Sequence, residues 1–391
     1  MKRPYKVLIA QQGTITPYRI PLYNAIEQRR PPDWTFTVVY DSDRSQKHDY
    51  YRGLSNDSYN FPTLPAVSRT WKLAGRRLMW QSFFTASWHY DVIVTDTYVK
   101  HLTYLALFLN KLARKKRVWW GIPNDLQAIH LTFSKHMAEN FKRQLLRFTD
   151  HFLAYTPGSR QYLVDIGYPP DNITVLNNTI DIEVERQRFL KFQPQRDAIR
   201  REMGIATHRK VILYVGRLTR LKRVPMLLDL IRELHKLDPA YMLLIIGAGE
   251  DEPLVRGAAA DLGSDILKYL GTVDDPDDTA RVYVASDLYY VPSYVGLGPL
   301  QAFSYDLPVI ATELEWHSPE VEYLNPSNSV FLPDKLAVPE LAMHFHQAGE
   351  RLMEPGFRSH IYETISRFTI TAMADQYIAG INKVLKLDRQ N

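Results

Sequence analysis

The chain contains no cysteine. That excludes disulfides and thiolate metal centres and suits a reducing compartment, so a cytoplasmic location is expected. No stretch approaches the ~20 consecutive apolar residues that a membrane-crossing helix needs. The opening MKRPYKVLIAQQG is basic and then apolar, but its apolar part of about five residues falls short of the roughly 7–15 of a secretory h-region. It reads as the first strand of a sheet. His-Glu-x-x-His is absent, and so is an Asp-x-Asp at the end of a strand. Asp41-Ser-Asp43 fits that pattern only superficially, because it follows the second strand of the first half, and it reads as loop chemistry. No catalytic metal is implied. Short-period repeats and low-complexity tracts are also missing, which argues against solenoids and disordered tails.

What is present is an ordinary globular composition, 45% hydrophobic and 23% charged over 391 residues, long enough for two domains with separate cores. The net charge of +5 is unevenly spread. Residues 1–180 hold 24 Lys and Arg against 13 Asp and Glu, a balance of +11, and the remainder holds 24 against 30, a balance of −6. A basic first half suggests an anionic partner, either nucleic acid or a phospholipid surface. No recognised nucleic-acid module is found. Trp71, Trp80 and Trp88, with Arg76, Arg77 and the basic runs 111–117 and 142–147, form either a membrane-facing surface or a solvated basic face over buried aromatics.

Strand-like apolar runs alternate with helical patterns through both halves, as in a parallel, doubly wound sheet. In the first half, strands are expected at 5–10, 34–40, 91–95, 118–121, 152–156 and 173–176. A helix is expected from about Pro21, with Ile20, Leu22, Tyr23 and Ile26 on one face. Residues 41–65 read as a long loop, 67–90 as helix and connection, 101–113 as an apolar helix and 134–150 as an amphipathic one. Residues 182–205 read as a linker. Further strands are expected at 211–217 and near 242–247, 266–270, 287–291 and 308–311. Residues 368–385 read as a last helix, with Ile370, Met373, Ala374, Tyr377, Ile381 and Leu385 on one face.

Chemistry concentrates where strands of the second half end. VILYVGR ends in Gly216-Arg217 with Lys222 five residues on, and YMLLIIGAGE ends in Gly247-x-Gly249-Glu250. VPSYVGLGPLQAFSYDLPVI reads as strand, glycine turn at Gly296 and Gly298, helix and strand. An open α/β sheet binds ligands at such carboxyl ends. Glycine there permits positive φ and close backbone approach to a phosphate. Arginine grips phosphate bidentately and lysine supplies a point charge.

VGRLTRLKR, IIGAGED, GTVDD, ASDLYYVPS and the glycine turn resemble, in order and spacing, the nucleotide-sugar-binding half of retaining GT-B glycosyltransferases of the family-4 (group 1) type. The resemblance covers most of residues 205–320. It implies two Rossmann-like, doubly wound α/β domains facing across a cleft: an acceptor-binding domain over 1–185 and a nucleotide-sugar-binding domain over 205–365. The helix within 366–391 would return to the first domain. Implied donor contacts are Gly216, Arg217, Lys222, Gly296, Leu297 and Gly298 at the diphosphate. Gly247, Gly249 and Glu250 would lie near the nucleobase, with backbone contacts from Thr272 and Val273. Gly13 and Arg19, after the first strand, would face the diphosphate from the acceptor side.

Two departures mark a variant branch. The family has two glutamates eight residues apart around the glycine turn, and here Ser293 and Gln301 stand in those places. Glutamine can still hydrogen-bond a ribose hydroxyl, but serine carries no charge. The family's histidine after the strand at 118–121 is replaced by Ile122-Pro-Asn-Asp, which leaves Asn124, Asp125 and His130 as acceptor-side substitutes.

The implied activity is metal-independent transfer of a sugar, with retention, from a nucleotide diphosphate sugar to a hydroxyl of a saccharide or lipid-linked acceptor. Surface polysaccharide or glycolipid assembly, with peripheral contact at the inner membrane face, is the implied setting. A GT-B nucleotide-sugar epimerase and a non-catalytic nucleotide-sugar-binding protein remain as alternatives.

Overall fold

A computed structural model describes residues 3–10, 13–42, 59–73, 76–97, 101–123, 133–354 and 356–386; within these, the side chains of residues 73, 76–77, 111–112, 133–136 and 138–139 are not described. The chain divides into two compact units, Met1–Asn178 with Ile370–Asn391, and Thr179–Thr369. Each unit is a mixed α/β, Rossmann-like domain built on one parallel sheet.

The first unit carries seven parallel strands. They are β1 (Tyr5–Ala10), β2 (Trp34–Asp41), β3 (Thr63–Ala66), β6 (Val92–Thr95), β7 (Lys116–Gly121), β8 (His151–Ala154) and β9 (Ile173–Val175). Their order is β3-β2-β1-β6-β7-β8-β9. An antiparallel hairpin, β4 (Ser68–Leu73) with β5 (Arg76–Gln81), is inserted between β3 and β6. Along β1, Val7 and Ile9 enter one core while Leu8 and Ala10 enter the other. That period of two, apolar on both faces, is what a strand covered above and below requires. The helix Ile20–Arg29 has proline in its first turn and buries Ile20, Leu22, Tyr23 and Ile26. The helix Ile370–Leu385 packs into the same core through Met373, Tyr377 and Ile381, with Tyr377 edge-on to Trp120 at 5.3 Å. Arg29 adds a two-point contact to Asp375 at 2.8 and 2.7 Å; both side chains are exposed, so water and salt screen the pair.

The second unit carries six parallel strands: β10 (Lys210–Val215), β11 (Tyr241–Ile246), β12 (Leu267–Tyr269), β13 (Leu288–Val291), β14 (Val309–Glu313) and β15 (Ser329–Pro333). The order β12-β11-β10-β13-β14-β15 runs outward from β10 in one direction and then restarts from β13 in the other. This is the Rossmann order, and it places a topological switch point between β10 and β13. Val211 and Leu213 face one core, Ile212 and Tyr214 the opposite one.

Five expectations need correction. Residues 67–90 form the β4–β5 hairpin and a short helix Phe84–Ser87 rather than a long helix. Trp71 pairs with Leu78 and Arg69 with Trp80, aromatic cross-strand neighbours of the kind that stabilise ribbons. The long loop expected over 41–65 ends in strand β3, where Pro65 is tolerated because β3 lies at the sheet edge. β15, the other unit's edge strand, adds a strand beyond those the apolar runs predict. Residues 182–205 are not a linker: helices Ile182–Phe192 and Arg196–Glu202 bury Ile182, Phe192 and Ile199 in the core of the second unit. The chain leaves the first unit at Asn178 and re-enters it at Ile370, not at the expected 185 and 366.

Candidate active site

At the carboxyl end of β10 the chain must leave the sheet beside β11. Backbone bonds zip the two exits together: Gly216 N–H to Ile246 O at 3.0 Å, Leu218 N–H to Ala248 O at 2.9 Å, and Asp251 N–H to Leu218 O at 2.9 Å. Gly247 N–H continues the zipper to Gly271 O at 2.8 Å, and the Tyr269 hydroxyl donates to Gly247 O at 2.8 Å. This approach is why residues 247 and 249 are glycine. A Cβ on Gly247 would lie 1.8 Å from the Gly216 carbonyl oxygen, and one on Gly249 2.1 Å from that of Leu218. Close backbone packing, independent of any ligand, therefore accounts for the Gly-x-Gly at this strand end. Glu250 and Thr272 stand exposed beside it, while Val273 packs partly into the core.

On the other side of the switch point, Tyr289 of β13 reaches back so that its hydroxyl donates to Val215 O at 3.2 Å. A Cβ on Gly298 would fall 2.5 Å from that hydroxyl. Gly298 thus lets the turn after β13 close on the end of β10. Neither Gly296 nor Gly298 has a positive φ, so the expected conformational reason for them is replaced by this close approach at Gly298. The N–H groups of Gly296, Leu297 and Gly298 have no hydrogen-bond partner among the described residues. Val295 N–H is fixed by His317 Nδ1 at 3.0 Å, and burial pushes the His317 pKa down, which keeps the ring a neutral acceptor. Ser293, just ahead of this turn, is buried at 2% exposure.

Arg217 follows Gly216 directly, and its charge is felt at Lys222 five residues on. The Tyr214 hydroxyl donates to Arg217 O at 3.0 Å. Lys222 ends a tight turn, Arg220–Lys222, whose N–H returns to Thr219 O at 2.8 Å. The next residue, Arg223, takes φ +55° and grips Asp334 at 2.6 and 3.3 Å. Arg217 is exposed and Lys222 half-buried. Burial, and then the charge of Arg217, pull the Lys222 pKa down to about 8. Among the described residues neither cation makes an ion pair. Two positive side chains, one of them desolvated, are held at a switch point with unpaired N–H groups nearby, an arrangement suited to an anion.

Other expected residues lie elsewhere. Gln301 is tied on both ends of its amide, accepting from the Tyr283 hydroxyl at 3.3 Å and donating to Glu185 at 3.4 Å. Glu185 also accepts from the Tyr305 hydroxyl at 2.7 Å and from Arg188 at 2.6 Å. Arg19, only 4% exposed, lies inside the first unit; it donates to the Tyr155 hydroxyl at 3.0 Å and packs over Trp120 at 4.8 Å. Gly13 takes φ +75°, and its carbonyl accepts from Asp41 N–H at 2.8 Å. Asn124, Asp125 and His130 lie outside the described residues.

Of the basic runs, Arg117 and Lys142 are buried rather than on a surface. Burial lowers the Arg117 pKa to about 9, against the opposing pull of Asp150. Among the described residues, Asp238, His346 and Glu350 could offer three metal-ligand atoms. The Lys210 ammonium already bridges both carboxylates at 2.7 Å, at the amino end of β10, far along the strand from the site.

Comparison with known proteins defines the fold and the family. Solved structures with the GT-B fold superpose on nearly the whole chain. One is Anabaena Alr3699/HepE in complex with UDP, with a TM-score of 0.68 at 16% identity, covering 97% of this chain and all of that one. Another is WaaG, a glycosyltransferase involved in lipopolysaccharide biosynthesis, with a TM-score of 0.63 at 14% identity over 95% of this chain and 98% of that one. The fold is therefore GT-B. The profile for "Glycosyltransferase Family 4" matches residues 28–184, and that for "Glycosyl transferases group 1" matches residues 195–324. The chain belongs to the group 1, family-4 type glycosyltransferases. Curated relatives include the D-inositol 3-phosphate glycosyltransferases of Nocardia farcinica (30% identical over 186 residues) and Corynebacterium kroppenstedtii (34% over 147). The matched stretches cover 44% and 34% of this chain, and span only 40% and 32% of those relatives.

Proposed function

We propose that the chain is a hexosyltransferase that moves a sugar from a nucleotide diphosphate sugar to a hydroxyl of a saccharide or lipid-linked acceptor, with retention at the anomeric carbon. The observation that carries this reading is the pair Arg217 and Lys222, uncompensated among the described residues and set at the switch point of the second unit. A departing nucleotide diphosphate needs fixed positive charge at its oxygens, and preorganised charge stabilises the transition state without reorganisation. The N–H groups of Gly296, Leu297 and Gly298 add neutral donors. The leaving oxygen would accept the acceptor proton on the same face, so neither a strong protein base nor a metal enters the scheme. Structural neighbours crystallised with UDP and with UDP-glucose support a uridine nucleotide as the first donor to try.

The test is a thermal-shift screen against UDP, GDP, ADP and dTDP and their sugars. A ligand that binds only the folded state raises the melting point by mass action, so one series should stand out. Slow release of free sugar from that donor marks a transferase. An altered sugar nucleotide would mark an epimerase, and binding without turnover a sensor; either would overturn the assignment.

The protonation of Lys222 gives a pH signature. Its ammonium is present below about pH 8 and lost above it, whereas a nucleotide diphosphate stays fully ionised there. Nucleotide affinity is expected to hold from pH 7 to 8 and then fall, by up to about tenfold per unit. Titration calorimetry across pH 6.5–9.5 checks this, and a flat profile would remove Lys222 from the binding site.

The first unit supports the membrane part of the proposal. Val67 is exposed just before the hairpin, Arg69, Trp71 and Lys72 on it, and Phe141, Arg143, Arg147 and Phe148 on and after the helix Phe133–Leu146. Aromatic and basic side chains exposed together suit an anionic lipid surface. No described helix is long and apolar enough to cross a membrane. Co-sedimentation with phosphatidylglycerol vesicles is expected at low salt, with loss at about 0.5 M salt and weakening in Trp71→Ala. Equal recovery with neutral vesicles would contradict it.

A further inference from the structure

The Lys222 ammonium has an aromatic neighbour that neither the resemblance nor the sequence pattern singles out. It lies 3.4 Å from the centroid of the Tyr294 ring. Tyr294 is not loose: its ring stacks on Trp316 at 4.9 Å with an interplanar angle of 27°. The backbone on either side is fixed as well, with Ser293 buried and Val295 N–H held by His317 at 3.0 Å. Resting on the diphosphate reading above, we propose that Tyr294, braced by Trp316, is a positioning residue that holds the Lys222 ammonium in place, still charged and uncompensated, until the donor diphosphate takes it.

The physical case turns on what a partner does to a cation waiting for an anion. A carboxylate beside Lys222 would stabilise the ammonium, but it would repel the incoming diphosphate and have to be displaced. A ring face attracts the cation through its quadrupole, more weakly than a formal charge does, and leaves the net charge at +1. It also offsets part of the desolvation that otherwise favours the neutral amine. The charged and titratable groups around this cluster are Arg217, which pushes the Lys222 pKa down, and Tyr214, whose own surroundings include Tyr289, Tyr294, Arg217 and Asp251.

The test separates this role from the diphosphate reading. In the intact protein without nucleotide, the pH dependence of Lys222 labelling by reductive methylation, read by mass spectrometry, reports its titration directly. Tyr294→Leu is expected to move the midpoint down by about one half to one unit, with Tyr294→Phe restoring it because the ring face is kept. Trp316→Leu should move it the same way by less, which covers the case of a poorly folded Tyr294→Leu. UDP titrated at pH 8 should bind Tyr294→Leu about three- to tenfold more weakly than the parent, and Tyr294→Phe nearly as well. An unchanged Lys222 midpoint in Tyr294→Leu overturns the positioning role. Failure of the parent protein to bind any of UDP, GDP, ADP and dTDP overturns the diphosphate reading instead.

Discussion

Replacing Lys222 with alanine is expected to weaken nucleotide diphosphate binding by about tenfold to a hundredfold, the worth of one hydrogen bond to a charged group. The transfer rate should fall further, by about 10²–10³, because the charge counts for more against the developing leaving group than against the bound donor. Arg217→Ala should behave similarly. The double variant should lose less than the product of the two, since both cations serve one diphosphate. Stability moves the other way. A lysine whose folded pKa lies below its unfolded value destabilises the fold while it is protonated in both states. That penalty fades as pH rises from about 8, the folded value, toward the unfolded value of 10.5. Between those limits the unliganded protein should become more stable through this group while nucleotide binding declines. Lys222→Met should keep or raise the melting temperature at pH 7 and abolish that stability gradient. Calorimetric unfolding and nucleotide titration on the same samples measure both halves. A variant that loses stability and binding together would point to a structural lysine.

The second large effect is expected at Gly247. An alanine there places its Cβ 1.8 Å from a backbone oxygen, where no rotamer change gives relief. The loops after β10 and β11 must part, which sacrifices the bonds of Gly216 to Ile246 and of Leu218 to Ala248. Overpacking, a non-glycine residue at φ +143° and two broken bonds together should cost about 4 kcal/mol or more. For a unit of this size that is a melting-temperature drop of about 10 °C or more. Nucleotide binding should be lost too, because Arg217 leaves the same loop. Gly257→Ala is the control: it sits in the helix Glu252–Leu262 with open space around its Cβ, and should stabilise by about 0.5–1 kcal/mol. Similar melting points for Gly247→Ala and the parent would mean that the two strand exits are not packed as described.

Much of the fold is written in local patterns. Strands that are apolar on both faces, such as VILYV and YMLLII, announce a buried parallel sheet, and the stripe Ile370, Met373, Tyr377 and Ile381 announces a packed helix. Elements that lack such a signature were hidden. β3 contains a proline that only its edge position excuses, and β15 is another edge strand. The hairpin at 68–81 looks helical until the pairings Trp71–Leu78 and Arg69–Trp80 are known. The helices at 182–202 are charged because one side faces solvent, and their few apolar residues gave no hint that the second unit begins with them.

The site divides in the same way. Arg217, Lys222 and the strand-end glycines carry a local spacing that can be read. The reason for those glycines could not be, because it depends on a neighbouring loop: Gly216 O for Gly247, and the Tyr289 hydroxyl for Gly298. Gln301 stands at a family glutamate position, yet the acid that matters to it is Glu185, 116 residues earlier in the chain. Tyr294, Trp316 and His317 gave no signal, since isolated aromatic residues carry none until packing brings them to a cation or a backbone N–H.

The most direct test is the crystal structure of the chain with the nucleoside diphosphate that wins the thermal screen. Its β-phosphate oxygens are expected within hydrogen-bonding reach of Arg217, Lys222 and the N–H groups of Gly296–Gly298, with the Lys222 ammonium drawn off the Tyr294 ring. A diphosphate bound elsewhere, with Lys222 still resting on Tyr294, would contradict it.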